Sequence, residues 1–119
     1  MFPEFVEGLQ YISGFSHLIL IYYFHQAEGY TLLTKPFVDK DNKGIFAIRH
    51  YNRPNPIGLS VIRLYRVRDN ILDIGGVDML DGTQLLDIKP YVPQFDVKDN
   101  TRNGWYQLAS ERAKYKVEE

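Results

Sequence analysis

The sequence predicts a mainly β chain, a small antiparallel β-barrel carrying short helical turns, and three observations lead there. Residues 16–25 hold an unbroken set of β-formers, Leu18-Ile19-Leu20-Ile21-Tyr22-Tyr23-Phe24, apolar on both faces. Residues 59–67 and 71–77 read as strands on either side of Arg68-Asp69-Asn70, which has the chemistry of a hairpin turn. Turn signals then recur at short intervals, and strands joined that way favour an antiparallel barrel over a doubly wound sheet.

The remaining elements follow in chain order. Residues 4–12 suit one or two helical turns, with Phe5, Leu9 and Ile12 at helical spacing. Residues 29–43 are irregular, broken by Gly29, Pro36, Asp39, Asp41 and Asn42. Residues 44–48 read as a short strand leading into Arg53-Pro54-Asn55-Pro56-Ile57-Gly58-Leu59-Ser60. The prolines in that stretch fix φ and push Arg53 and Asn55 into extended geometry, while Gly58 lets the chain turn or lie close to a ligand. Asp81-Gly82 marks another tight turn before a short strand over 84–88. Beyond Pro93 the chain is polar until Gly104-Trp105-Tyr106, and 107–115 fits a terminal strand or helix.

Composition narrows the function classes. A chain of 119 residues, 45% hydrophobic and 24% charged, suits one globular domain over 1–119. The net charge of −1 gives no global signature of nucleic-acid binding. With no cysteine there are no disulfides, thiolate metal sites or thiol nucleophile. His17, His25 and His50 lack ligand-like spacing, so no metal is expected. The longest apolar run, 18–24, suits a strand rather than a membrane span, and a cytoplasmic protein is the plain reading. Neither a P-loop nor a dinucleotide fingerprint is present, since Gly75-Gly76 lacks the other glycines and the lysine.

Charge is segregated along the chain. Residues 43–68 hold six basic residues and no acidic one, whereas 69–99 hold seven aspartates against Lys89 and Lys98. Two arrangements fit: the blocks neutralise each other on adjacent strands, or a basic surface for phosphates lies beside an acidic pocket.

Several separated motifs resemble the TsaA-like, or TrmO, family of S-adenosylmethionine-dependent tRNA methyltransferases. They are Phe15-Ser16-His17, Phe24-His25, Gly44-Ile45-Phe46-Ala47-Ile48-Arg49, the arginine-proline loop, Asp78-Met79-Leu80-Asp81-Gly82-Thr83, and Leu86-Asp87-Ile88-Lys89-Pro90-Tyr91. The resemblance implies a small β-barrel and a homodimer. It also implies S-adenosyl-L-methionine as cofactor and tRNA as partner, with methylation at the exocyclic amino nitrogen of a threonylcarbamoyl adenosine beside the anticodon. The family's cofactor contacts carry over onto His25, Gln26, Arg49, Leu59, Leu80, Asp81, Gly82 and Thr83. Relatives begin with a further strand and a Pro-Arg-Gln-like cofactor loop, whereas this chain begins at Met1-Phe2-Pro3-Glu4. The expectation is a start site assigned too late or a truncated member, with 94–119 as a C-terminal extension.

In that setting Arg49 suits a cofactor carboxylate, Leu59 an apolar wall, and Asp81 an acceptor for an amine or hydroxyl. Arg53, Asn55, Arg63, Arg66 and Arg68 suit RNA phosphate, with loop-holding as the other reading for Arg53 and Asn55. Tyr51 and Tyr91 suit either base stacking or the core. No catalytic residue is assigned; Asp78 and Asp81 are proton-acceptor candidates by motif proximity alone. Two rival functions remain, a non-catalytic cofactor- or RNA-binding barrel and a small-molecule methyltransferase.

Overall fold

A computed structural model describes residues 3–25, 27–36, 39–76 and 82–107. The strands are β1 (His17–Tyr23), β2 (Leu33–Thr34), β3 (Lys43–Gly44), β4 (Ile57–Arg68), β5 (Ile71–Gly75) and β6 (Gln84–Pro90), followed by the short helix α1 (Pro93–Asp96). Three 3₁₀ turns, Pro3–Leu9, Ile12–Gly14 and Ile45–Ala47, complete the elements. The chain divides into two compact units, 1–26 with 56–96 and 27–55 with 97–119.

The first unit is an antiparallel sheet in the order β5-β4-β1-β6. Its register follows from side-chain alternation. Leu18, Leu20 and Tyr22 point to one face of β1, opposite Ile62, Ser60 and Gly58 of β4, and the three with Ile62 and Leu64 make the buried core. Each fully buried leucine or isoleucine here contributes roughly 1.5–3 kcal/mol. The Tyr22 hydroxyl is satisfied by Ser60 Oγ at 2.8 Å.

The other face of the central pair is apolar in sequence but only partly covered. Ile19 and Ile21 are half-buried, while Tyr23, Ile57, Leu59 and Val61 are exposed. Gly58 does not serve a turn: it lies inside β4 beneath the Tyr22 and Phe24 rings, where a Cβ would come within 2.7 Å of Phe24 Cζ. The β4–β5 hairpin forms at the expected place, with Arg68 paired to Ile71 and Asp69 at φ 52° in the two-residue connection. Among the described residues the sheet remains open, with β5 and β6 at its edges and no closed barrel.

The second unit corrects two expectations. Within the stretch read as irregular, β2 pairs with β3. The strand expected over 44–48 is instead the end of β3 followed by a 3₁₀ turn. Ile45 and Ile48 are both buried while Phe46 and Ala47 between them are exposed, so the apolar spacing is three residues rather than two. Ile45 N–H donates to Leu32 O at 2.8 Å, tying the turn to the segment before β2. Residues 105–107 are helical, and the rest of the expected terminal element lies outside the described residues.

Candidate cofactor site and basic surface

Antiparallel pairing places Tyr23, the last residue of β1, opposite both Ile57 of β4 and Gln84 of β6. The segments that continue from β1 and enter β6 therefore meet at one end of the sheet. There His25 Nδ1 and Thr83 Oγ1, 58 residues apart in sequence, stand 3.5 Å apart. Gly82, next to Thr83, has φ 83°, the left-handed region that glycine favours, and open space where a Cβ would be. Leu59 pairs with Ile21 near the same end and is 52% exposed, which makes it an accessible apolar wall rather than a core leucine. Paired polar side chains at a strand end, with an exposed leucine on the neighbouring strand, suit a ligand that has both polar and apolar parts. Of the other expected cofactor contacts, Gln26, Leu80 and Asp81 lie outside the described residues, as does Asp78.

Arg49 belongs to the second unit, where it is exposed and has no ion-pair partner among the described residues. Its neighbour Arg53 acts inside the loop: Nη1 donates to Ile48 O at 2.8 Å and to His50 O at 3.4 Å. The guanidinium also sits 6.0 Å from the Phe46 ring centroid. His50 Nδ1 accepts from Asn52 N–H at 3.1 Å, which requires the tautomer protonated on Nε2, and its ring stacks on Tyr51 at 4.3 Å. Asn55 is exposed. The loop-holding reading of Arg53 is thus the one its contacts support.

The strand arginines divide. Arg66 Nε and Arg68 Nε both donate to Asp73 Oδ2, at 3.0 and 3.2 Å, and Arg68 Nη2 reaches Asp73 Oδ1 at 3.0 Å. Hydrogen bonds from Arg68 and then Arg66 hold the Asp73 carboxyl below its ordinary 3.8. Lys89 and the Ile88 N–H do the same for Asp87. At Arg66, Arg68 and Asp73 the basic and acidic blocks therefore neutralise each other across the β4–β5 pair, while Asp87 and Lys89 pair within β6. Arg63, opposite His17, is exposed without an ion-pair partner among the described residues. At that end Ser16 Oγ lies 2.7 Å from His17 Nδ1, and Tyr91 packs edge-on against the His17 ring, the structural role open to it in the sequence.

Sequence reasoning passed over one contact. Trp105 Nε1 donates to Ala47 O at 2.8 Å, joining the segment after α1 to the 3₁₀ turn that carries Phe46. A tryptophan interrupting a polar stretch was the available signal. That same segment lines a shallow cleft of about 600 Å³ with Thr101, Arg102, Asn103, Gly104 and Gln107. No group of three or more histidine, cysteine or acidic residues suited to a metal occurs among the described residues. Nor does any helix among them have the length and apolarity to cross a membrane.

These features define a mainly β chain, with polar side chains brought together at one end of an antiparallel sheet in the first unit and an arginine-bearing loop in the second. The chain belongs to the tRNA-methyltransferase O N-terminal domain family, which matches residues 1–97. It is 57% identical over 107 residues to a probable S-adenosyl-L-methionine-binding protein of Pyrococcus abyssi, covering 90% of this chain and 58% of that protein. It is 34% identical over 114 residues to a mouse tRNA (adenine(37)-N6)-methyltransferase, covering 92% of this chain and 26% of the mouse protein. The crystal structure of TrmO from Pseudomonas aeruginosa superposes with a TM-score of 0.69 at 42% identity, over 84% of this chain and 42% of that one. The chain thus spans between a quarter and three-fifths of these relatives.

Proposed function

We propose that this chain binds S-adenosyl-L-methionine and methylates the exocyclic amino nitrogen of a threonylcarbamoyl adenosine next to a tRNA anticodon. The observation that carries the reading is the meeting of His25 and Thr83, two remote pieces of one cofactor motif set, at one end of the sheet. When bound, the cofactor supplies an electrophilic methyl group on a sulfonium. The residues of the chain orient and shelter it: Leu59 offers apolar contact, and the Gly82 backbone permits close approach. In the second unit, Arg49 offers a guanidinium to a carboxylate. A tRNA substrate puts this activity in the cytoplasm.

Two further features belong to the proposal. The exposed apolar residues of β4, Ile57, Leu59, Val61 and Tyr65, support a homodimer, which sedimentation at micromolar concentration tests. Closure of the sheet into a barrel would protect alternate amides along β5 and β6 from hydrogen exchange, whereas open edges would exchange rapidly. For the main reading, the experiment is calorimetric titration with S-adenosyl-L-methionine, then transfer of labelled methyl to unfractionated tRNA with and without the threonylcarbamoyl group. Label recovered on the modified adenosine supports it. Absence of cofactor binding overturns it, and binding without transfer to either tRNA leaves a non-catalytic binding module.

A further inference from the structure

The second unit displays an aromatic surface that the cofactor site does not use. Phe46 is 74% exposed, yet it is anchored from both sides: Ile45 and Ile48 are buried, and β3 leads directly into the turn. The Arg53 guanidinium lies over its ring and is itself held by two carbonyls. Trp105 is tied to the next residue, Ala47, and Tyr106 packs edge-on against the indole at 5.8 Å while remaining exposed. The cleft beside them carries Arg102, which has no ion-pair partner among the described residues. Trp105, Tyr106 and Arg102 all lie beyond the residues that the family match covers.

Anchored rings, Phe46 and Tyr106 exposed and Trp105 half-buried, together with Arg53 and Arg102 have the chemistry of single-stranded nucleic-acid recognition, and Phe46 lies in the 43–68 block that has no acid. Apolar protein ligands do not call for the cations, and a free phosphate does not call for the rings. We propose that Phe46, Trp105 and Tyr106 form a stacking surface for an unpaired nucleotide of the RNA substrate, with Arg102 meeting the adjoining phosphate. This rests on the tRNA reading and adds a second contact site, which the C-terminal segment completes.

Trp105 is the sole tryptophan, so its emission reports on the surface directly. The full chain is titrated with an RNA hairpin reproducing an anticodon stem and loop, following both tryptophan emission and filter retention. The expected result is saturable quenching that tracks binding. Phe46→Ala should weaken RNA affinity by roughly 5- to 150-fold, the range for losing one base–aromatic stack. Phe46→Tyr should restore most of it. Arg102→Ala should reduce affinity and salt dependence together, and S-adenosyl-L-methionine affinity should stay within twofold for all three variants. RNA retained at full affinity by Phe46→Ala, or bound with unchanged emission, overturns the stacking surface and leaves the tRNA reading intact. No RNA binding by the unaltered chain overturns both.

Discussion

Gly58→Ala tests the structural reading of the arginine-proline motif. The glycine sits opposite Tyr22 in the β1–β4 register, and an added Cβ would lie 2.7 Å from both Tyr22 Cζ and Phe24 Cζ, where ordinary contact is 3.4–4 Å. The Tyr22 ring must therefore retreat by roughly 1 Å within a close-packed core. Overpacking of this kind costs about 1–3 kcal/mol. Replacing glycine lowers unfolded-chain entropy and returns about 0.4–1 kcal/mol. Displacing the ring also strains the Tyr22–Ser60 hydrogen bond, 2.8 Å in length, worth about 1 kcal/mol. The net expectation is a loss of about 2 kcal/mol, a shift of roughly 1 M in urea midpoint at unchanged slope. The assay is equilibrium urea unfolding of the variant, of Tyr22→Leu, and of the double variant. Because Tyr22→Leu removes one of the two obstructing rings, the double variant should be less destabilised than the sum of the singles. A Gly58→Ala protein as stable as the parent, or strict additivity with Tyr22→Leu, would refute the close-approach argument.

Asp73→Asn should remove a stabilising contribution that is present at neutral pH and disappears as pH falls below 3.8. A carboxyl depressed in the folded state loses its advantage only on protonation, so unfolding curves of parent and variant should converge in acid. The same substitution releases Arg66 and Arg68 and should steepen the salt dependence of tRNA binding, read by filter retention at several salt concentrations. Arg63→Ala should lower that salt slope by about 0.7 to 1, while Arg53→Ala should leave the slope nearly unchanged because its guanidinium is occupied within the loop. Trp105→Phe should cost about 1 kcal/mol through loss of the bond to Ala47 O, measured by thermal unfolding.

Much of the first unit was legible because its signals are local. The unbroken run of β-formers at 18–24 marked β1, and Arg68-Asp69-Asn70 marked the hairpin, so β1, β4 and β5 fell within a few residues of expectation. What escaped depends on which neighbour covers a side chain. An isoleucine at 45 and another at 48 read equally well as strand or helical turn until burial separates them. Both faces of β1 are apolar in sequence, yet only the face bearing Leu18, Leu20 and Tyr22 is fully buried. Gly58 resembled a hinge because glycine tolerates turns, whereas its position beneath an aromatic ring is a long-range fact. The proposed cofactor set came from motif resemblance alone, and the pairing of β1 with β6, invisible in the sequence, is what brings His25 and Thr83 of that set together.

The basic block shows how a charge pattern acquires meaning from partners. Six cations without an acid suggest one phosphate-binding strip, but the fold assigns them different work. Arg66 and Arg68 share a carboxylate, so their field at a distance is that of one net charge rather than two. Arg53 commits Nη1 to two carbonyls at one end of the loop, keeping its charge but fixing its position. Arg49 and Arg63 are exposed and have no ion-pair partner among the described residues, as anion capture requires. A polyanion is attracted by summed charge, whereas a single carboxylate is selected by geometry. The unneutralised Arg63 on the sheet suits the first task, and Arg49, beside a loop rigidified by Arg53 and two prolines, suits the second. The division of labour proposed for the arginines thus rests on which of them the fold has already occupied, a distinction that net charge erases.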